Sequence, residues 1–227
     1  MLEIIPAGEN SLIIYFEKEI DSTLLQRISY YSETIKEELG EYLVEIVPSY
    51  VSIFISFNLN RISQFELIQK LERILIKKIN LKLYRDIPIL EIPVYYGVDV
   101  GLDLKDILKK KQMKLDQFIT IHSQIEYEIF AIGFAPNFAF LGKIIDDIRV
   151  PRLQTPRIFV PAGSVGIADS QTGVYPINSS GGWNLVGKTP LDLSISNNKI
   201  SSYLRVGGKV RFKPISRDEF ISQGGFL

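Results

Sequence analysis

The stretch that decides the fold is 133–190, which reads GFAPNFAFLGKIIDDIRVPRLQTPRIFVPAGSVGIADSQTGVYPINSSGGWNLVGKTP. It contains eight of the 16 glycines and six of the 11 prolines in the 227-residue chain. Glycine and proline interrupt helices and supply the backbone angles of tight turns. This density therefore predicts many short strands, folded into a closed or sandwiched β-domain.

The N-terminal part has the opposite composition, because residues 1–86 contain only two glycines and two prolines. Some of its segments carry apolar residues with the strand period of two, and others carry them with the helix period of 3.6. The predicted strands are 11–16, 43–47, 51–57 and 82–84, and the predicted helices are 21–40 and 63–79. This β-α-β-β-α-β order is that of a ferredoxin-like fold. We expect an α+β chain of two domains, 1–86 and 87–227.

The second domain shows the same periodicities outside its central stretch. The predicted elements are a strand over 87–96, helices over 103–111 and 115–123, and strands over 127–132, 164–168, 191–195 and 210–214.

Composition excludes several classes of protein. The formal net charge is zero and the basic residues are dispersed, which does not favour nucleic-acid binding. The chain has no cysteine and a single histidine, His122, so disulfides, thiolate nucleophiles and multi-histidine metal sites are excluded. The sequence begins without a signal-peptide pattern and no run approaches the roughly 18 apolar residues of a membrane span, so we expect a cytoplasmic protein.

Residues 182–189, GWNLVGKT, fit the phosphate-loop pattern G-x-x-x-x-G-K-T. Such a loop needs a helix directly after it, whose N–H groups hold the phosphate. Here Pro190 follows at once, and the next residues alternate like a strand. The pattern therefore indicates a glycine turn with an anchored tryptophan.

Two other motifs leave alternatives open. Ser164 lies in AGSVG, which is one position away from the G-x-S-x-G elbow of hydrolases. It could pair with His122, although a serine in a turn is the commoner case. His122 itself could be a general base or a structural hydrogen-bonding residue.

Arg152 and Arg157 stand in PRLQTPR, where proline restricts the backbone and lowers the entropic cost of holding two guanidinium groups in place. A guanidinium can bind a carboxylate or a phosphate through two parallel hydrogen bonds. The spacing equally allows surface ion pairs, which contribute about 1 kcal/mol or less.

A series of motifs carries a resemblance to a known family. In order, the motifs are GFAP (133–136), FAFLG (138–142), PRLQTPR (151–157), VPAGSVGIA (160–168), QTGVYP (171–176), GGW (181–183) and GKTPL (187–191). Together they resemble the signature of the allophanate hydrolase subunit 1, or KipI, family. Four positions depart from the family pattern. Asn137 stands where the family has glycine, and Phe140 stands where it has tyrosine. Ser180 stands in place of proline, and Lys188 in place of arginine. Asparagine tolerates left-handed backbone, so Asn137 can keep the turn.

The resemblance implies a ferredoxin-like N-terminal domain followed by a cyclophilin-like β-barrel. It implies a hydrolase role, as the B-type subunit of an ATP-dependent 5-oxoprolinase that cleaves the lactam of 5-oxoproline to glutamate. The implied partners are a subunit-2-type (KipA-like) homologue and a LamB/YcsF-type subunit, and ATP is used by the complex. Family alternatives are an inhibitor of a sensor histidine kinase and a subunit of allophanate or urea metabolism. The chain has no biotin-attachment motif.

The resemblance also implies roles for individual residues. His122 matches a family histidine and is the candidate for proton transfer. The candidates for binding a small anionic substrate are Arg152, Arg157, Gln171, Tyr175, Trp183 and Lys188. Lys188 keeps the charge of the family arginine but not its planar fork. Trp183 could instead belong entirely to the core.

Overall fold

The computed structural model describes residues 2–17, 19–77, 88–194, 200 and 202–227. The chain forms two compact units, Met1–Ile87 and Pro88–Leu227, called here the N-terminal and the C-terminal unit. Both are mixed α/β structures with mostly antiparallel strands and few helices.

The N-terminal unit is an antiparallel sheet accompanied by helices. Its elements are β1 (Glu3–Gly8), β2 (Ser11–Tyr15), α1 (Ser22–Leu39), a 3₁₀ turn (Gly40–Tyr42), β3 (Leu43–Ser49), β4 (Ser52–Phe57) and α2 (Gln64–Leu75). The strands lie in the order β1-β2-β4-β3. Helix α1 begins where the Asp21 carboxylate accepts from the Leu24 N–H, and α2 begins at a capping box of Ser63 and Glu66.

Most predicted elements of this unit are present, with two corrections. Strand β1 was not expected. Helix α2 ends at Leu75, whereas the prediction extended it to residue 79. The next residue, Ile76, is 82% exposed to solvent. Residues 78–79 and the strand predicted over 82–84 lie outside the described residues.

The C-terminal unit holds most of the strands. Its elements are β5 (Ile89–Val94), α3 (Leu104–Lys111), α4 (Leu115–Ser123), β6 (Tyr127–Ile132), β7 (Ala139–Gly142), a 3₁₀ turn (Asp146–Ile148), β8 (Arg157–Val160), β9 (Ser164–Ala168), β10 (Gln171–Val174), β11 (Ser179–Gly181), β12 (Asn184–Lys188), β13 (Lys209–Pro214) and α5 (Arg217–Ser222).

Seven of these strands follow one another in the order β5-β13-β6-β7-β10-β9-β12, and only the β5–β13 pair is parallel. Tyr95 and Lys188 then exchange two backbone hydrogen bonds of 2.9 Å, which pair the chain just after β5 with the end of β12. The two ends of the series are thus joined. Inside lies an apolar core that includes Ile92, Tyr127 and Ile167. Strands β8 and β11 pair with each other as a separate two-stranded ribbon.

One predicted strand of this unit is wrong. Residues 191–194 form no strand, and Ile195 lies outside the described residues. The Asp192 carboxylate accepts from the Ser194 N–H at 2.8 Å, which stabilises a turn in place of an extended backbone. The strands near 127–132, 164–168 and 210–214 and helices α3 and α4 are where the periodicity predicts them.

Candidate functional site

A cavity of about 160 Å³ in the C-terminal unit brings together three of the predicted site residues. It is lined by Phe134, Phe138, Phe140, Arg152, Tyr175, Gly181, Gly182 and Trp183. The lining comes from the start of β7, the ends of β10 and β11, and the segment that precedes β8. All of it derives from the glycine- and proline-rich stretch.

Aromatic rings form the rigid part of this cavity. The Phe138 ring meets Trp183 edge to face at a centroid distance of 5.5 Å and meets Tyr175 at 5.3 Å. Only 2% of Tyr175 and 4% of Trp183 is exposed. Edge-to-face pairs of this kind hold rings at fixed angles. Trp183 therefore packs in the core and also lines the cavity, so it does not belong entirely to the core, and its role in binding a ligand stays a prediction.

Two backbone features shape this part of the chain: a glycine packed against the Tyr175 ring and a left-handed residue in the turn before β7. A Cβ atom on Gly181 would lie 2.3 Å from the Tyr175 hydroxyl oxygen, so only glycine fits beside that ring. Asn137 adopts a positive φ of 65°, as expected for the residue that replaces the family glycine. Its side-chain amide donates to the Leu193 carbonyl at 3.0 Å.

Arg152 supplies the positive charge at the cavity. Its guanidinium carbon lies 6.0 Å from the centroid of the Trp183 ring, at the limit of a cation–π contact. Its ion pair with Asp169 is long, at 3.8 Å, and both side chains are more than half exposed. Such a pair contributes little, so the guanidinium can turn toward an anionic ligand without losing much free energy.

The Tyr175 phenol remains neutral and can donate a hydrogen bond. Burial raises its pKa, and a backbone hydrogen bond from Trp183 and the charges of Arg152 and Arg157 oppose this only in part. A buried neutral phenol beside a guanidinium suits a ligand that carries both an acceptor oxygen and a negative charge.

Arg157 lies next to the cavity but is held by its own chain. Its Nη2 atom lies 2.6 Å from Oδ1 of Asp103, and its Nη1 atom donates to the Trp183 carbonyl at 3.5 Å. The other Asp103 oxygen accepts from the Leu185 N–H at 2.6 Å. Arg157 therefore braces the segment that carries Trp183 and does not offer a free fork to substrate. The local pattern indicated Asp103 only as the start of a helix, so its ion pair was not predicted.

We expect Asp103→Asn to lower the free energy of unfolding by about 1–3 kcal/mol, because it removes a charge from a pair that is mostly buried and leaves the Arg157 guanidinium without its partner. Urea denaturation of Asp103→Asn, Arg157→Gln and the double variant measures the coupling between the two side chains. A coupling energy near zero would contradict the bracing role.

Gln171 and Lys188 do not line this cavity. Gln171 begins β10 and pairs with Gly142 and Ala168. Lys188 ends β12, and its ammonium donates to the Phe226 carbonyl at 2.7 Å beside a different cavity of about 190 Å³. Burial lowers the pKa of Lys188. The phosphate-loop interpretation is excluded, because this lysine lies in a strand and no helix follows over residues 189–194.

His122 lies in the core, and none of its side chain is exposed. The Thr172 hydroxyl donates to the Gly166 carbonyl at 3.0 Å and therefore accepts from His122 Nε2 at 2.9 Å. The Tyr96 hydroxyl donates to Nδ1 at 2.7 Å. Burial lowers the histidine pKa from 6.5 to about 3, so the ring is neutral near pH 7. These contacts use both ring nitrogens and favour the structural interpretation of His122.

The same contacts leave no place for a Ser–His pair. Ser164 is buried in β9, while the two ring nitrogens of His122 are taken by Tyr96 and Thr172. The hydrolase-elbow interpretation of Ser164 is therefore wrong.

The C-terminal unit has other clefts besides this cavity. A wider cleft of about 480 Å³ lies along α3 and α4, but none of the predicted site residues lines it. Among the residues that the structure describes, no three His, Cys, Asp or Glu side chains group closely enough to hold a metal ion. The helices in the described ranges include none that could cross a membrane.

Known proteins match this chain over most of its length. The B-type subunit of 5-oxoprolinase from Bacillus subtilis (strain 168) is 34% identical over 222 residues, which are 94% of this chain and 92% of that protein. PH0987, a conserved uncharacterized protein from Pyrococcus horikoshii, is 37% identical; its crystal structure matches 96% of this chain and 100% of that one, with a TM-score of 0.55.

The crystal structure of TTHA0988 matches 90% of this chain with a TM-score of 0.79 and 28% identity, and the match covers only 40% of that longer chain. A family model described as the carboxyltransferase domain, subdomain C and D, matches residues 2–201. The family resemblance carried by the motifs is thereby confirmed. With its motifs, its fold and nearly its whole length in agreement, this chain belongs to the family of the carboxyltransferase domain, subdomain C and D.

Proposed function

We propose that this chain is the B-type subunit of an ATP-dependent 5-oxoprolinase, a complex that opens the lactam of 5-oxoproline to give glutamate. The observation that carries the proposal is the match to the B-type 5-oxoprolinase chain of Bacillus subtilis, which extends over 94% of this chain and 92% of that one. A match from end to end supports the same role better than a shared domain would, because it includes both units.

The cavity chemistry supports a ligand of this class. The substrate, 5-oxoproline, is a compact ring that carries a carboxylate and an amide oxygen. Arg152 offers a guanidinium for the carboxylate, and Tyr175 offers a phenolic donor for an acceptor oxygen. Phe138 and Trp183 give the ring an apolar wall. The cavity thus binds and orients the substrate in this proposal, while ATP is used by the complex.

The proposal differs from the residue roles that the family resemblance implies. Arg152, Tyr175 and Trp183 remain as substrate-binding residues. Arg157 becomes a positioning residue, since Asp103 holds its guanidinium. His122 is not proposed for proton transfer, because a side chain with no exposed surface and a pKa of about 3 cannot exchange a proton with a ligand near pH 7.

The remaining features of the proposal concern fold, partners and location. The β2-α1-β3-β4-α2 order supports a ferredoxin-like N-terminal unit, and the joined strand series supports a cyclophilin-like barrel in the C-terminal unit. The proposed partners are the subunit-2-type (KipA-like) homologue and the LamB/YcsF-type subunit. The complex works in the cytoplasm, where ATP is available.

Reconstitution of the three subunits tests the proposal. We expect 5-oxoproline-dependent release of glutamate and ADP when all three chains are present and loss of glutamate formation when this chain is omitted. Chromatographic detection of both products measures the reaction. Unchanged glutamate formation without this chain would contradict the proposed function.

A further inference from the structure

Phe134 differs from the other aromatic residues that line the candidate cavity, because its side chain is exposed. It is 62% exposed, whereas Phe138 and Tyr175 are each 2% exposed and Trp183 is 4% exposed. The fifth ring, that of Phe140, is partly buried. A side chain that lines the cavity and is also exposed lies where the cavity meets solvent. Phe134 therefore has apolar surface at the cavity opening that a bound ligand can cover.

The backbone at Phe134 is strained. Its φ of 70° lies in the left-handed region, which a bulky side chain rarely adopts because it costs free energy. The neighbouring Gly133, a residue type that adopts such angles without strain, does not have a positive φ. Two backbone hydrogen bonds close this turn, from the Gly133 N–H to the Phe138 carbonyl at 3.1 Å and from the Phe138 N–H to the Ala135 carbonyl at 3.0 Å. Strained backbone of this kind is concentrated at ligand-binding sites, where the conformation serves the ligand.

Two neighbouring rings fix the direction of the Phe134 side chain. Its ring meets that of Phe138 at a centroid distance of 5.2 Å and an angle of 71°. It meets the Tyr175 ring at 6.2 Å and 87°. Both contacts are edge to face, an arrangement that holds rings at fixed angles. The Phe134 ring is thus ordered at the cavity opening, so little conformational entropy is lost when a ligand covers it.

We propose that Phe134 is a substrate-contacting residue, whose ring packs on the lactam ring of 5-oxoproline at the cavity opening while Arg152 binds the carboxylate. This inference rests on the proposed function, because it takes 5-oxoproline as the ligand. The ring carbons of 5-oxoproline between its carboxylate and its amide are apolar and suit an aromatic surface. A phenyl ring moves no proton and stabilises no charge on the reacting amide, so Phe134 contributes to binding and not to the chemical step.

The fluorescence of Trp183 measures this binding directly, because Trp183 is the single tryptophan of the chain and lines the cavity. We expect titration of the full chain with 5-oxoproline to change this fluorescence in a saturable way. Phe134→Ala should raise the dissociation constant about tenfold, the factor expected when a small ligand loses its contact with one face of an aromatic ring. In the reconstituted complex the same variant should raise KM and leave kcat within about twofold.

Two variants serve as controls for the loss of the ring. Phe134→Tyr keeps an aromatic ring whose added hydroxyl can reach solvent, so its dissociation constant should stay within about threefold of wild type. Phe65→Ala is the matched control, since Phe65 in α2 is 69% exposed and does not line the cavity. Its dissociation constant should stay within about twofold of wild type.

Phe134→Gly separates a binding role from a structural one. Glycine adopts a left-handed φ without strain and alanine does not, so Phe134→Gly should melt at a higher temperature than Phe134→Ala. Both variants lack the ring, so both should bind 5-oxoproline about tenfold more weakly than the wild type. A dissociation constant that follows the melting temperature of these two variants would make Phe134 a structural residue and overturn the inference.

The outcomes separate this inference from the function on which it rests. Wild-type affinity in Phe134→Ala and Phe134→Gly, with an active reconstituted complex, would overturn the role of Phe134 and leave the function standing. An active complex in which the Trp183 fluorescence of the wild-type chain does not respond to 5-oxoproline would do the same. Saturable binding that depends on Phe134, with a complete complex that forms no glutamate, would support the binding role and contradict the proposed function.

Discussion

Replacing Arg152 with alanine should lower kcat/KM of the reconstituted 5-oxoprolinase by about ten- to hundredfold. The guanidinium is the charged donor that lines the cavity, and hydrogen bonds to charged groups are worth about 1.5–3 kcal/mol. Assembly and folding should be unaffected, because the ion pair that this side chain makes with Asp169 in the described structure is long and exposed. Steady-state kinetics of glutamate formation measure the effect.

Two further variants sharpen this result. Arg152→Lys keeps the charge but not the planar fork, so it should recover part of the lost activity. Arg217→Ala is the matched control, since Arg217 makes a similar exposed ion pair, with Asp99 at 3.6 Å, away from the cavity. Wild-type kcat/KM for Arg152→Ala would remove Arg152 from the substrate site.

His122 should make the stability of the chain depend on pH between about 6.5 and 3. Its folded-state pKa of about 3 lies below the ordinary value of 6.5, so acid protonates this ring in the unfolded chain first. The contribution of the neutral ring to the free energy of unfolding is therefore fully present above pH 6.5, and it is lost as the pH falls toward 3. The loss between pH 7 and pH 4.5 is about 2–3 kcal/mol by linkage, at about 1.4 kcal/mol per pH unit.

Because the chain has a single histidine, no other imidazole contributes to the pH dependence of stability in this range. Urea denaturation at pH 7 and pH 4.5 is compared for the wild type and His122→Gln, whose amide offers both a donor and an acceptor to Thr172 and Tyr96. Carboxylates contribute equally to both proteins, so the difference in pH dependence belongs to His122. Equal losses of stability in the two proteins would show that the ring is not held neutral by burial.

Local signals in the sequence predicted much of the fold. The capping box at Ser63 and Glu66 and the cap at Asp21 located the starts of helices, because these contacts span only three residues. The missed strand β1 contains Pro6 and Gly8, which both disfavour strands. It forms at the edge of the sheet, where proline is tolerated.

The candidate site was only partly predictable, because it depends on contacts between distant positions. The proline-stiffened arginines left an anion site and surface ion pairs equally open; Arg152 lines a cavity and also makes an exposed ion pair with Asp169. Arg157, however, forms its ion pair with Asp103, which lies 54 positions earlier in the chain, and no local sequence pattern reveals that pair. The environment of His122 likewise depends on Phe212, which comes far later in the chain and whose ring stacks on the imidazole at 4.7 Å. Periodicity predicts which face of an element is buried, but it does not predict which side chains meet there.

A structure of the assembled complex with 5-oxoproline bound would decide whether the aromatic cavity is the substrate site. We expect the ligand in the cavity of about 160 Å³, with its carboxylate against the Arg152 guanidinium and its ring against Trp183. A ligand bound elsewhere in the complex, with this cavity empty and Arg152 turned to solvent, would show that the site is wrongly placed.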